Sequence, residues 1–128
     1  MDNNFKNIEN ITSIVNFFFK HQIIIKMFHF QTNHYGAHKA IDKYLKKFNK
    51  QFDRFMEIAQ GAFTKLDTNK ITINLETTND MKIIDVLENY ITILKKLGES
   101  MKNLPELILV RDELIADAQQ LKYLLSFK

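Results

Sequence analysis

Cysteine and tryptophan are absent from these 128 residues, and there are only three glycines and one proline. Without cysteine there is no disulfide framework and no thiolate zinc site, which fits a reducing compartment such as the cytoplasm. With so little glycine and proline to punctuate it, the chain is expected to form long helices. Long apolar runs are missing too. The most apolar stretch, residues 14–30, is interrupted by Asn16, Lys20, His21, Gln22, Lys26 and His29. It falls short of the ~18 apolar residues of a membrane span, so no membrane association is expected. The opening MDNNFKNIEN is polar and near neutral, unlike the basic-then-apolar pattern of a signal peptide. No Gly-rich phosphate loop, Ser/His/Asp set or zinc-knuckle spacing is present. The two signs of charge nearly balance, with 18 Lys and Arg against 15 Asp and Glu. The net +3 permits weak contact with nucleic acid and does not predict it.

What is present is apolar periodicity. At this length the chain makes one domain, residues 1–128, with a single core. A first helix is expected from near residues 5–10 to about Thr32. Ile8, Ile11, Val15 and Phe18 mark one face, and Phe17, Phe19, Ile23, Ile24 and Ile25 widen it almost all round. A helix apolar on most sides is buried on most sides, which points to contact with another subunit or to a long core helix. A second helix is expected from Asn33 or His34 to about Leu66. Its core face comprises Ile41, Tyr44, Leu45, Phe48, Phe52, Phe55, Ala59, Phe63 and Leu66. From Lys70 to Thr77 the sequence alternates apolar and polar, which reads as an extended segment. A third helix, capped by Thr78 or Asn79, carries Ile83, Ile84, Leu87, Tyr90, Ile91, Leu94 and Leu97. A fourth opens at Asn103 and Pro105 and runs to about Ser126.

Three of the four histidines lie between His29 and Glu57. Two pairs there have helical i, i+4 spacing, His38/Asp42 and Asp53/Glu57. Imidazole with carboxylate suits iron, zinc or manganese. In one continuous helix, Asp42, Asp53 and Glu57 sit roughly 40°, 60° and 100° round from His38, so all four share a stripe. That stripe runs about 100° from the centre of the core face. Asp42 and Asp53 are separated by about 16 Å along the axis, so one ion cannot touch both pairs in one chain. An antiparallel partner helix would join the upper pair of one subunit to the lower pair of the other, making two equivalent sites about a two-fold axis. A lateral stripe equally suits ordinary polar residues on a helix flank. His21, among apolar residues, reads as a packed histidine. His34 reads as a residue of the turn. Arg111, Asp112 and Asp117 read as partners in surface or inter-helix ion pairs. The phenylalanines at helical spacing read as core.

The pattern His-x-x-x-Asp, ten residues, Asp-x-x-x-Glu, preceded by Phe28-His29-Phe30, resembles that of the Dps-type mini-ferritins. Short ferritin-like proteins of phages and large DNA viruses carry similar sequences. The resemblance covers residues 25–66 well and the rest by helix pattern. It implies that His29, His38 and Asp42 are metal ligands from one subunit, and that Asp53 and Glu57 are ligands from its partner. It implies a ferroxidase that oxidises Fe(II) with oxygen or peroxide, with iron storage or oxidative protection as the outcome. The same donors would accept other divalent metals. It also implies a homo-oligomer, from a dimer up to a twelve-subunit shell, located in the cytoplasm or, for a viral protein, in the host cytoplasm or virion. The Lys-rich tail on which DNA-binding mini-ferritins rely is missing, so DNA binding is expected to be weak or absent. Two departures stand out. Phe30 replaces the usual Trp, and His29 to His38 is shorter than the family spacing. A metal-free helical interaction protein on the same scaffold is the alternative.

The connections lead to the same fold without the motif. Short links make helices 1 and 2 an antiparallel hairpin, and helices 3 and 4 another. The extended link between them can return along the whole bundle at ~3.3 Å per residue. The expected fold is therefore all-α: a ferritin-like four-helix bundle of two antiparallel hairpins joined by one long crossover.

Overall fold

The computed structural model describes residues 8–68, 71–78 and 80–127, and the side chains from residue 11 onward within these. Four helices are described: α1 (Ile8–Gln31), α2 (Tyr35–Ala62), α3 (Ile83–Ser100) and α4 (Pro105–Leu125). The part of the expected first helix before residue 8 lies outside the described residues, as do Lys70 and the cap candidate Asn79.

Helix directions follow from hydrogen bonds between the helices. His21 bonds Tyr44 and His29 bonds His38, so α1 and α2 run antiparallel. Lys47 reaches Gln120 while Gln51 reaches Glu113, so α2 and α4 are antiparallel. Lys122 reaches Glu88 and Arg111 reaches the Leu94 carbonyl, so α3 and α4 are antiparallel as well. It follows that α2 and α3 point the same way, and that the chain between them must travel back along the bundle. At 28 residues α2 is about 42 Å long, and the connection over residues 63–82 can reach roughly 66 Å.

The helix ends differ from the sequence expectation for local reasons. α2 stops at Ala62 rather than near Leu66 because the Gln60 side chain competes for the backbone. Its amide oxygen accepts from the Leu66 N–H at 3.0 Å, and its nitrogen donates to the Met56 carbonyl at 3.2 Å. α3 begins at Ile83, capped by Lys82, and just before it the Met81 N–H donates to the Thr78 carbonyl at 3.2 Å. Leu104 rather than Asn103 caps α4, with Pro105 in its first turn as expected. In the crossover Ile71, Ile73 and Leu75 are half-buried while Thr72, Asn74 and Glu76 are exposed. The alternation is that of a strand, but no strand is present among the described residues: the segment lies on helices, which offer no ladder partner.

The core is aromatic at mid-height. The Phe18 ring lies 5.1 Å from both Phe52 and Phe55, with Phe48 beyond. These rings are buried, as the sequence pattern requires of core rather than base-stacking residues. No helix among the described residues is long and apolar enough to cross a membrane.

Candidate metal centre

The α1–α2 hairpin turns within residues 32–34, where the His34 N–H donates to Thr32 Oγ1 at 3.3 Å. So tight a turn sets the last turn of α1 against the first turn of α2, and His29 meets His38. Their rings stack with centroids 3.9 Å apart and planes 22° apart. His38 Nδ1 donates to the His29 carbonyl at 2.8 Å, and His29 Nδ1 donates to the His38 carbonyl at 3.2 Å. A carbonyl can only accept, so Nδ1 of each ring must carry its hydrogen. In the neutral ring the lone pair is then on Nε2. A hydrogen bond from the second nitrogen to a carbonyl is the usual way a metal-binding imidazole is oriented. His29 is buried and His38 half-buried.

Asp42 lies one turn along α2 from His38, paired with Lys46 at 3.4 Å. The hydrogen bond from Lys46 holds its carboxyl below the usual carboxylate range. Asp53 and Glu57 are exposed further along the same helix. α2 is unbroken between Asp42 and Asp53, so the two pairs are held about 16 Å apart. Among the described residues no three His, Asp or Glu side chains gather closely enough to hold an ion. The structure thus brings His29 and His38 together, sets Asp42 a turn away, and keeps Asp53 and Glu57 remote within the chain.

Asp53 edges a groove of about 290 Å³ between α1 and α2, floored by Val15, Phe19, Phe52, Met56 and Leu66. Gln22 and Asn49 cross the valley beside it through a 2.6 Å hydrogen bond. Sequence reasoning missed this groove. Its floor comes from both helices and from Leu66 beyond the end of α2, and neither helix's periodicity alone reveals a space between them.

His34 caps α2 and is exposed. His21 is a core residue, as expected, but not an apolar one in its contacts. Its Nε2 and the Tyr44 hydroxyl share a 2.7 Å hydrogen bond, and its ring stacks on Tyr90 at 3.5 Å. Burial pushes its pKa down to about 3, so the ring stays neutral. Burial pushes the Tyr44 and Tyr90 phenols up. Arg111 pairs with Asp112 at 2.8 Å, as expected of an ion pair, and its guanidinium also donates to the Leu94 and Lys95 carbonyls of α3. Asp117 lines a cleft with Tyr44 and Lys47, and burial raises its carboxyl above the usual range.

Residues 29–125 match a family described as a family of unknown function, DUF5856. The chain belongs to this family. The match begins at His29 and takes in all five candidate ligands of this DUF5856 protein. No curated protein and no solved structure matches it.

Proposed function

We propose that this DUF5856 protein binds Fe(II) as substrate at a site shared between two subunits and oxidises it. His29, His38 and Asp42 come from one subunit, Asp53 and Glu57 from the other. The observation that carries the reading is the reciprocal His29–His38 pair. Two imidazoles that each donate through Nδ1 and so keep Nε2 for a metal, next to a carboxylate one turn away, form half of a nitrogen/oxygen donor set. The connectivity adds support, since two antiparallel hairpins joined by a long crossover is the ferritin-like arrangement. On this reading Asp42, Asp53 and Glu57 balance the cationic charge that grows as Fe(II) becomes Fe(III). Each iron gives one electron to oxygen or peroxide. The subunits assemble as a dimer or a larger closed shell, and other divalent metals compete for the same donors.

One observation favours a second reading. The same two hydrogen bonds clamp the end of α1 to the start of α2 with no metal required, as a purely structural hairpin lock would. Addition of Fe(II) under oxygen or peroxide, followed by ferric-oxo absorbance, separates the two. The ferroxidase reading expects oxidation faster than in buffer, with most of that excess lost in Glu57→Ala. Glu57 is exposed, so its removal leaves the fold intact. Oxidation no faster than in buffer, unchanged by Glu57→Ala, would leave the structural lock as the function of the pair.

A further inference from the structure

The face that carries the candidate ligands also carries an apolar groove and an exposed aromatic side chain. On α1, Phe19, Ile23 and Phe30 lie roughly 100°, 140° and 120° from the inward-pointing Phe18. On α2, Asn49, Gln60 and Asp53 lie roughly 100°, 120° and 140° from the inward-pointing Phe48. The Gln22–Asn49 hydrogen bond shows that these two stripes border one valley. Near one end of the valley Phe30 is 72 % exposed, with Lys26 Nζ 5.3 Å from its ring centroid. Near the other end lie the groove and Asp53.

We infer that the groove between α1 and α2 is the seat of Phe30 from a second copy of this chain. The inference rests on the shared-site reading for its two-fold axis, which passes near Lys47 and Phe48. About that axis the level of His38 faces the level of the partner's Glu57. The His29–His38 contact places Phe30 at the level of His38. Phe30 therefore arrives over the partner's groove, at its Met56–Gln60 end. Lys26, one turn back along α1, arrives opposite the partner's Asp53. The contact is isologous: each copy offers one aromatic knob and one lysine and receives both, so the pair closes without leaving a free groove. An exposed aromatic entering an apolar groove with a charged pair at its edge has the composition of an interface anchor.

Sedimentation velocity of chelator-treated protein tests this. The wild type is expected to dimerise without metal. Phe30→Ser and Lys26→Glu are each expected to weaken the dimer roughly tenfold or more. The double variant Lys26→Glu/Asp53→Lys should recover much of the loss from Lys26→Glu. Tyr123→Ser removes an exposed aromatic on α4 and should change nothing. Circular dichroism of each variant checks that the helices persist. A wild type that stays monomeric without metal overturns the inference, as does a dimer indifferent to both Phe30→Ser and Lys26→Glu. Fe(II) oxidation measured on the same samples keeps the two readings apart. A Phe30-dependent dimer that oxidises no iron supports the docking and removes the metal function. Oxidation by a strictly monomeric protein removes the docking and the shared site together.

Discussion

His21 shows how a single buried side chain makes stability depend on pH. The folded protein holds it neutral, with its pKa lowered from 6.5 to about 3. The unfolded chain takes up a proton as pH falls through its ordinary value, and the folded chain does not. Its contribution is therefore complete above pH 6.5 and is lost progressively as pH falls toward 3, at up to about 1.4 kcal/mol per pH unit. Urea unfolding between neutral and mildly acidic pH should show this slope. His21→Gln, which keeps a hydrogen-bond partner for the Tyr44 hydroxyl and does not titrate, should flatten it. The His21 ring resonances should stay fixed across the same range. The sequence marks His21 as packed because its neighbours are apolar. It does not reveal Tyr44 and Tyr90 as the packing, since they come from two other helices.

At the scale of elements, the crossover is the segment whose sequence and structure differ most in kind. Its period-2 alternation is realised as alternating burial of Ile71, Ile73 and Leu75, without a strand. Ile71 packs against the core cluster while Thr72 faces solvent. Ile71→Ala is expected to cost about 1–2 kcal/mol of stability and Thr72→Ala less than about 0.5 kcal/mol, measured by denaturant unfolding. Equal effects would mean that the crossover does not pack in this register. The helices were more legible because each buries one face and the 3.6-residue period records it. Their ends were less so. The stop of α2 depends on one glutamine amide, and polar side chains that compete with the backbone leave no periodic trace.

For the whole molecule, the 16 Å or so between Asp42 and Asp53 makes a direct prediction. If the two pairs serve one site, no monomer can oxidise iron. One variant with His38→Ala/Asp42→Ala and another with Asp53→Ala/Glu57→Ala should each be inactive. Mixed and allowed to exchange subunits, they form heterodimers with one complete site and one empty site. Part of the lost Fe(II) oxidation should then return, read as ferric-oxo absorbance. Confirmed exchange without recovery, beside an active wild type, would exclude the shared site.

By itself the sequence determined the all-helical class, the two hairpins, the long return between them, and the stripe of His38, Asp42, Asp53 and Glu57 on α2. All of these follow from residue spacing along a single helix or from the length of a link. Only the tertiary structure decided that His29 and His38 lock each other through their carbonyls, because that depends on how closely a three-residue turn folds α1 onto α2. It alone decided that His21 is held neutral between two tyrosines, and that a groove opens beside Asp53. Periodicity reports which way a side chain points. Which atom it meets depends on how neighbouring helices approach, and that is set by the packing of the whole core.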